Sequence, residues 1–298
     1  MTSAARVVTE NPALRRALIP AYRLYARSRV FRRGPRVLVT SMPKAGTHLL
    51  ASLLKNMPGM MFSGHHHALH EFERDDAPRA TERNDEWRVD WNRVERTLRS
   101  VNKGQYMTAH FPAEPHLVSL LKDLDYKVIV VMRDPRDTAV SSAFYLSSLE
   151  RHFLYERFQN EFTTPAERLL ATITGFPPRN GYRGLGSIGK RIDRAMEWFA
   201  VPGVLECRFE NLIGSRGGGS DAAQSAATAA VATHLGLELD AEQLDEVRSR
   251  TWSPKSTTFR KGRIGEWRDH FTEEHKAAFK EVAGRQLIEL GYERDLAW

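Results

Sequence analysis

The chain has 298 residues, 44 Lys and Arg against 37 Asp and Glu, a formal charge of +7, a 41% hydrophobic fraction and one cysteine, Cys207. This length suffices for one large domain or two small ones, and a single cysteine excludes a disulfide scaffold or thiolate zinc module and suits a reducing compartment. No stretch approaches the ~20 consecutive apolar residues of a membrane span, and glycine and proline are too few for a collagen-like or low-complexity chain.

The charge is unevenly placed. Residues 1–36 hold nine arginines and a single acid, Glu10, a net of +8, which leaves −1 for residues 37–298. A neutral body argues against a broad nucleic-acid-binding face and leaves room for a local anion pocket. The arm lacks the continuous apolar core of a secretory signal. On a helix, Leu14, Leu18, Tyr22 and Tyr25 form one stripe with Arg16, Arg23 and Arg27 opposite, and Pro20 interrupts or kinks it. The expectation is a surface helix packed on the body; the alternative is a basic amphipathic helix at a membrane surface.

Strand and helix signals then alternate. Val37–Thr40, Tyr106–Ala109, Lys127–Met132 and Val204–Arg208 read as strands, with helical patterns near 47–56, 114–123, 136–149 and 188–200. Continuous apolar strands separated by helices predict an α/β fold with a parallel sheet covered on both faces. Segments 63–104 and 150–187 are polar and weakly periodic, and read as insertions or lids. Gly214–Ser220 reads as a flexible connector, and helices near 221–235, 240–249 and 273–290 follow. No internal repeat or domain break is evident beyond the arm at 1–36, so 37–298 is read as one domain with a helical C-terminal segment.

Three segments carry chemistry. Ser41-Met42-Pro43-Lys44-Ala45-Gly46-Thr47-His48 joins a buried strand to a helix, where free backbone N–H groups and the helix dipole favour an anion. Lysine precedes the glycine, so this is not the magnesium-nucleotide loop G-x-x-x-x-G-K-[ST]. Arg133-Asp134-Pro135-Arg136-Asp137 follows the strongest strand. Asp134 fits an N-cap, Pro135 the first helical position and Asp137 a capping-box-like contact. Arg133 has no such local role. It stands at the carboxyl end of a central strand, where open α/β sheets bind ligands, and Ser141 follows in the second helical turn; the pair suits a phosphate. Phe259 to Arg268 places Gly262 and Gly265 among four cations, a loop whose backbone can approach a phosphate closely.

Taken together, these segments resemble the nucleotide-binding motifs of the soluble, cytosolic-type sulfotransferases that use 3′-phosphoadenosine-5′-phosphosulfate (PAPS). Ser41–Leu50 fits the family's [ST]-x-P-K-[SA]-G-T-[TH]-x-[LW]. Arg133 and Ser141 fit R-D-P-[RK]-D with a serine eight residues past the arginine. Residues 260–268 fit R-K-G-x-x-G-D-W-K, with Glu266 and Arg268 substituting. The resemblance implies a P-loop-like sheet and PAPS as cofactor, with no metal. Lys44, Ala45, Gly46, Thr47 and His48 would hold the 5′-phosphosulfate, and Arg133, Ser141, Arg260, Lys261 and Gly262 the 3′-phosphate. Phe209, in Phe209-Glu210-Asn211-Leu212, stands where the family has an adenine-contacting tyrosine, and Leu49 where it has a tryptophan. His110, in Thr108-Ala109-His110-Phe111-Pro112, takes the place of the catalytic base, with Thr108 where the family has lysine.

The implied mechanism is in-line transfer of a sulfuryl group to a hydroxyl or amine, with His110 taking the acceptor's proton and Lys44 neutralising charge on the departing oxygen. The alternatives are a P-loop nucleotide kinase or phosphotransferase, for which a Walker lysine and a magnesium site are missing, and a non-catalytic binder of 3′,5′-bisphosphorylated nucleotides, which the threonine at 108 keeps open. The expected partner is a small-molecule or lipid-like hydroxyl acceptor rather than nucleic acid, and the expected location is cytoplasmic, with peripheral membrane contact through the arm. Trp87, Trp91, Phe144, Tyr145 and Phe176 are candidate walls of the acceptor pocket.

Other signals carry less. Gly184-Leu185-Gly186-Ser187-Ile188-Gly189 has the G-x-G-x-x-G spacing of a dinucleotide fingerprint but no preceding strand. His65, His66, His67, His70 and Glu71 have metal-ligand chemistry, yet read as a polar loop beside the acceptor cleft, with His66 or His67 reaching the acceptor. Asp75, Asp76, Glu82, Asp85 and Glu86 read as a solvated face.

Overall fold

The computed structural model describes residues 12–28, 34–74, 89–179, 183–251 and 262–298. Arg260, Lys261, Trp87 and the acids from Asp75 to Glu86 lie outside the described residues, as do the side chains of residues 12–17.

Five parallel strands form one sheet in the order β2-β3-β1-β4-β5: β1 Arg36–Ser41, β2 Met61–Ala68, β3 Gln105–His110, β4 Tyr126–Met132 and β5 Leu205–Arg208. The α/β expectation holds, and both faces are covered. Val37, Val39, Ile129 and Val131 pack beneath Leu50, Leu53 and Leu54 of α2 (Thr47–Asn56). Leu38, Met107, Val128 and Val130 point the other way, toward Leu117, Leu121 and Trp198. Burial on both faces is why these strands read as continuous apolar runs. The register pairs Thr40 with Ala109 and with Val130, so the carboxyl ends of β1, β3 and β4 lie level along one edge.

Segment 63–104 is more regular than its composition suggests. It contains most of β2, at the sheet edge, and helix α3 (Trp91–Arg99), which Asp90 caps by accepting the Arg93 N–H. The histidines therefore lie on a strand rather than a loop. The β2–β3 register shifts between Phe62 and His66, around Gly64 at φ 83°. A side chain at Gly64 would run into Arg23 Cγ at 2.9 Å.

The arm helix α1 (Pro12–Ser28) runs through Pro20, which sits on its exposed side, and packs on that edge strand. Tyr22 Oη donates to the Phe62 carbonyl, Arg23 Nε to the Gly64 carbonyl, and Gln105 Nε2 to the Ala26 carbonyl. Arg23 thus belongs to the docking face and not, as its helical position predicts, to the outward one. Leu18, Leu24 and Tyr25 are exposed.

Two further segments depart from expectation. Residues 150–187 hold α6 (Tyr155–Glu161) and α7 (Pro165–Thr174), the latter opened by a capping box between Thr164 and Glu167 with Pro165 at its first position. The glycine run near 214–219 is a packed turn rather than a connector: its Gly217 carbonyl accepts the Ile264 N–H. Leu185 pairs antiparallel with Phe176, and helix α8 (Ile188–Met196) follows, so among the described residues the G-x-G-x-x-G has no parallel strand before it. The remaining helices are α4 (Pro115–Asp123), α5 (Pro135–Ser148), the single turn α9 (Phe209–Leu212), α10 (Asp221–His234), α11 (Ala241–Thr251) and α12 (Glu273–Glu289). Among the described residues no helix is long and apolar enough to cross a membrane.

Candidate active site

A cavity of about 1090 Å³ opens at the carboxyl ends of the strands and is lined by residues of all three motif segments. Its floor is the turn from β1 to α2. Lys44 at φ 73° and Gly46 at φ 113° both take left-handed backbone on either side of Ala45, whose N–H donates to the Met42 carbonyl. Ala45 is fully buried and does not line the cavity, and its N–H is already engaged; it shapes the turn rather than facing a ligand. Ser41 Oγ and Thr47 Oγ1 share a hydrogen bond of 2.5 Å that joins the two ends of the turn. The N–H groups of the first turn of α2 have no carbonyl four residues back and face the region where an anion would gain from the helix dipole. The Lys44 ammonium lies 4.1 Å over the Tyr145 ring.

Arg133 directly follows β4, as the sequence predicts, and is buried. Its Nη2 donates to the Arg263 carbonyl at 3.0 Å and lies 3.5 Å from Asp137 Oδ2, and its guanidinium stacks on Phe209 at 4.3 Å. Nε of Arg133 has no partner among the described residues. A buried guanidinium with an unused N–H beside an open cavity has the chemistry to receive an anion. Ser141 lines the same cavity from α5, and Gly262 from the C-terminal loop. Asp134 caps α5 by accepting the Arg136 N–H, as expected. Asp137 makes no capping box: its carboxylate accepts the N–H groups of Gly265 (2.8 Å) and Trp267 (2.9 Å), tying the C-terminal loop to α5. Burial pushes the Asp137 pKa up, against the pull of Arg133.

His110 ends β3. Its Nδ1 lies 2.8 Å from the Ser41 carbonyl. A carbonyl only accepts, so Nδ1 carries the proton and Nε2 of the neutral ring is the acceptor. Burial, then His66, push the pKa of His110 down to about 3. His66 stands edge-on to it, with ring centroids 5.2 Å apart, and its Nδ1 lies 2.8 Å from Thr108 Oγ1. His48 lines the cavity with its side chain open to it, and the protein around it, His66 and Lys44 push its pKa down to about 4. His65 and His67 point to the opposite face of the strand, bonded to Ser100 and Glu71. Among the described residues no group of three or more side chains is arranged to hold a metal.

Of the candidate acceptor walls, Tyr145 lines the cavity. Trp91 packs on His116, Phe144 lies against His270, and Phe176 joins Phe158 and Phe162. The aromatic wall comes instead from Tyr145, Phe111, Phe153 and Trp198. Phe209 borders the cavity between Gly46 and Arg133.

Residues 34–199, more than half of the chain, match the family model of the sulfotransferase domain. The chain belongs to that family. Its solved neighbours share the fold at low identity. Mouse sulfotransferase SULT7A1, complexed with PAP, is 18% identical with a TM-score of 0.57, covering 85% of this chain and 84% of that one. Retinol dehydratase in complex with androsterone and inactive cofactor PAP is 18% identical at a TM-score of 0.54, over 90% and 85% of the two chains. The same enzyme with retinol and PAP is 19% identical at 0.53, over 89% and 85%. No curated protein matches the sequence of this sulfotransferase.

Sequence reasoning missed the bridging role of Asp137, whose partners lie far along the chain. It also missed Arg191 at the cavity wall. Arg191 had a legible signal, because it falls on the stripe of Ile188, Ile192 and Ala195 that α8 buries.

Proposed function

We propose that the protein transfers a sulfuryl group from PAPS to a hydroxyl or amine of a small-molecule or lipid-like acceptor, with His110 as general base. The observation that carries this reading is the Ser41 carbonyl on His110 Nδ1, which reserves Nε2 as a proton acceptor in a ring that borders the cavity. The open Nε of Arg133 and the left-handed turn at Lys44 and Gly46 fit an anionic nucleotide, and mouse SULT7A1 and retinol dehydratase were crystallised with PAP. PAPS, when bound, supplies an electrophilic sulfur and a phosphate leaving group.

Lys44, Gly46, Thr47 and His48 then hold the 5′ end, with Ala45 fixing the turn between them, while Arg133, Ser141 and Gly262, with Arg260 and Lys261, hold the 3′ end. Phe209 supports both ends and offers its edge to the base. His110 is neutral at pH 7 and accepts the acceptor's proton at Nε2. Bound negative charge nearby raises its proton affinity when it is needed. Lys44 opposes charge on the departing oxygen. The same reading makes the enzyme cytoplasmic, with the exposed Leu18, Leu24 and Tyr25 of α1 giving it peripheral membrane contact.

The test is turnover of labelled PAPS against pooled hydroxyl and amine acceptors. Losing the base in His110→Ala should cost roughly 10²–10⁴ in rate, and Lys44→Ala roughly 10²–10³, with circular dichroism unchanged. Undiminished turnover by His110→Ala removes the base assignment, and PAP binding without turnover by any acceptor favours the non-catalytic alternative.

A further inference from the structure

The half of the cavity away from the β1–α2 turn is cationic. Arg151, Arg183, Lys190, Arg191 and Arg194 line it, against Glu71 and Glu73. Both acids are engaged: Glu73 Oε2 lies 2.7 Å from Arg183, and Glu71 2.8 Å from His67. Arg191 differs from the other cations. Its Nη2 donates to the Thr172 carbonyl near the end of α7, and among the described residues its Nε is buried without a partner and no carboxylate faces it. Burial alone pushes its pKa down, to about 10. An isolated buried guanidinium is costly unless something pairs with it.

A second orphan lies close by. Ser142 Oγ is buried, lines the same cavity and has no partner among the described residues. Thr172 connects the two. Its hydroxyl donates to the Ala139 carbonyl at 3.0 Å, one turn before Ser142 on α5, while its own carbonyl receives Arg191. Thr172 thus ties Arg191 to α5 one turn before Ser142, and the two residues with unpaired polar atoms, a hydroxyl and a planar cation, line the same cavity.

The site shares its cavity with the chemistry. His110, Ser142 and Arg191 all line it, and Trp198, in the short turn that follows the helix of Arg191, donates its Nε1 to the Phe111 carbonyl at 2.8 Å, next to His110. We propose that the acceptor carries an oxyanion, a carboxylate or acidic ester, which Arg191 and Ser142 bind while its hydroxyl is presented to His110. This rests on the sulfotransferase reading and narrows it to anionic acceptors.

The experiment uses the full chain saturated with PAP. 4-Hydroxyphenyl alkanoates from acetate to pentanoate, the matching phosphonates and the methyl esters of the acids are titrated calorimetrically. Failure of PAP itself to bind defeats the sulfotransferase reading, and is seen before any acceptor is added. With PAP bound, an acid or phosphonate of the right length should bind at least tenfold tighter than its ester, and which of the two leads identifies the anion. Arg191→Gln, which keeps a donor for the Thr172 carbonyl, should shrink that preference below threefold at unchanged PAP affinity. Arg191→Lys, which keeps the charge but not the fork, should retain part of it should the glutamine variant fail to fold. Equal affinity for acid and ester in the wild type overturns the proposal, as does a preference that survives Arg191→Gln intact.

Discussion

A methyl group at Gly46 tests the site where backbone, packing and ligand geometry coincide. Gly46 holds φ 113°, which L-residues avoid, and a Cβ there would lie 2.8 Å from Phe209 Cδ2 and 3.4 Å from Val131 Cγ1. Strained backbone of this kind costs ~1–3 kcal/mol. Relieving the overlap moves Phe209, a buried ring with Arg133 stacked on it, and overpacking costs another ~1–3 kcal/mol. Gly46→Ala should therefore lose roughly 2–6 kcal/mol of stability. It should also weaken PAP at least tenfold, because the turn and Arg133 shift together. Urea denaturation and PAP calorimetry of Gly46→Ala, Phe209→Ala and the double variant separate the terms. Cutting Phe209 back to alanine removes the overlap but not the strain, whereas leucine would keep Cδ atoms of its own. In a Phe209→Ala background the Gly46→Ala change should therefore cost only the ~1–3 kcal/mol of strain. A Gly46→Ala variant within ~0.5 kcal/mol of wild type would refute the reasoning, and so would strict additivity with Phe209→Ala, since contacting residues couple.

Asp137→Ala leaves two buried N–H groups and the Arg133 guanidinium without their carboxylate. It should cost ~3–5 kcal/mol in urea denaturation and lower PAP affinity; wild-type stability and affinity would show that the 262–268 loop is held by other contacts. Stability should also fall with acid. His65 and His110 are both held down to about 3, so below about 6.5 the unfolded chain binds protons that the folded one refuses, and stability is lost as pH falls through that window toward 3. The urea midpoint should be lower at pH 5 than at pH 7, by less in His65→Gln, and equal midpoints would contradict the burial of these rings.

What could be read in the sequence was local. The β1–α2 turn and the start of α5 are set by residues within a few positions of each other: Lys44 and Gly46 before the helix, Asp134 and Pro135 at the next. Each capping or turn rule acts over one helical turn, so a window suffices. Strand β2 escaped because Gly64 and the register shift beside it break the alternation that marks a strand, and because three histidines dilute its apolar signal. Gly214–Ser220 read as a connector because glycine content reports conformational freedom in the free chain, whereas the Ile264 N–H on Gly217 is a tertiary contact. Asp137 was legible as a helix-start residue and illegible as a tether, since its partners lie 128 and 130 residues on. The nucleotide end of the cavity is built largely from such local turns. The acceptor end is assembled from β2, α5, α8 and the loop at 149–154, so its chemistry emerges only once the chain is folded.

The arm is both the chain's basic segment and a structural cover for the sheet edge. Residues 1–36 carry the chain's whole positive excess, which invites removal of the arm as a test of membrane binding. Yet Tyr22, Arg23 and the Ala26 carbonyl are spent on β2 and on Gln105 of β3, and β2 carries His66, which borders His110. Deleting residues 1–33 therefore strips the edge of the sheet as well as any lipid contact. It should lower stability and turnover together with affinity for anionic vesicles at low salt. Substituting the exposed Leu18 and Leu24 with serine leaves the Tyr22, Arg23 and Ala26 docking bonds in place. If α1 meets a membrane, this double variant should lose vesicle affinity severalfold in co-sedimentation while its urea midpoint and PAP affinity stay at wild-type values. Unchanged vesicle affinity in the serine variant would assign the arm to the fold alone, because any loss seen on deletion would then follow from the damaged sheet edge.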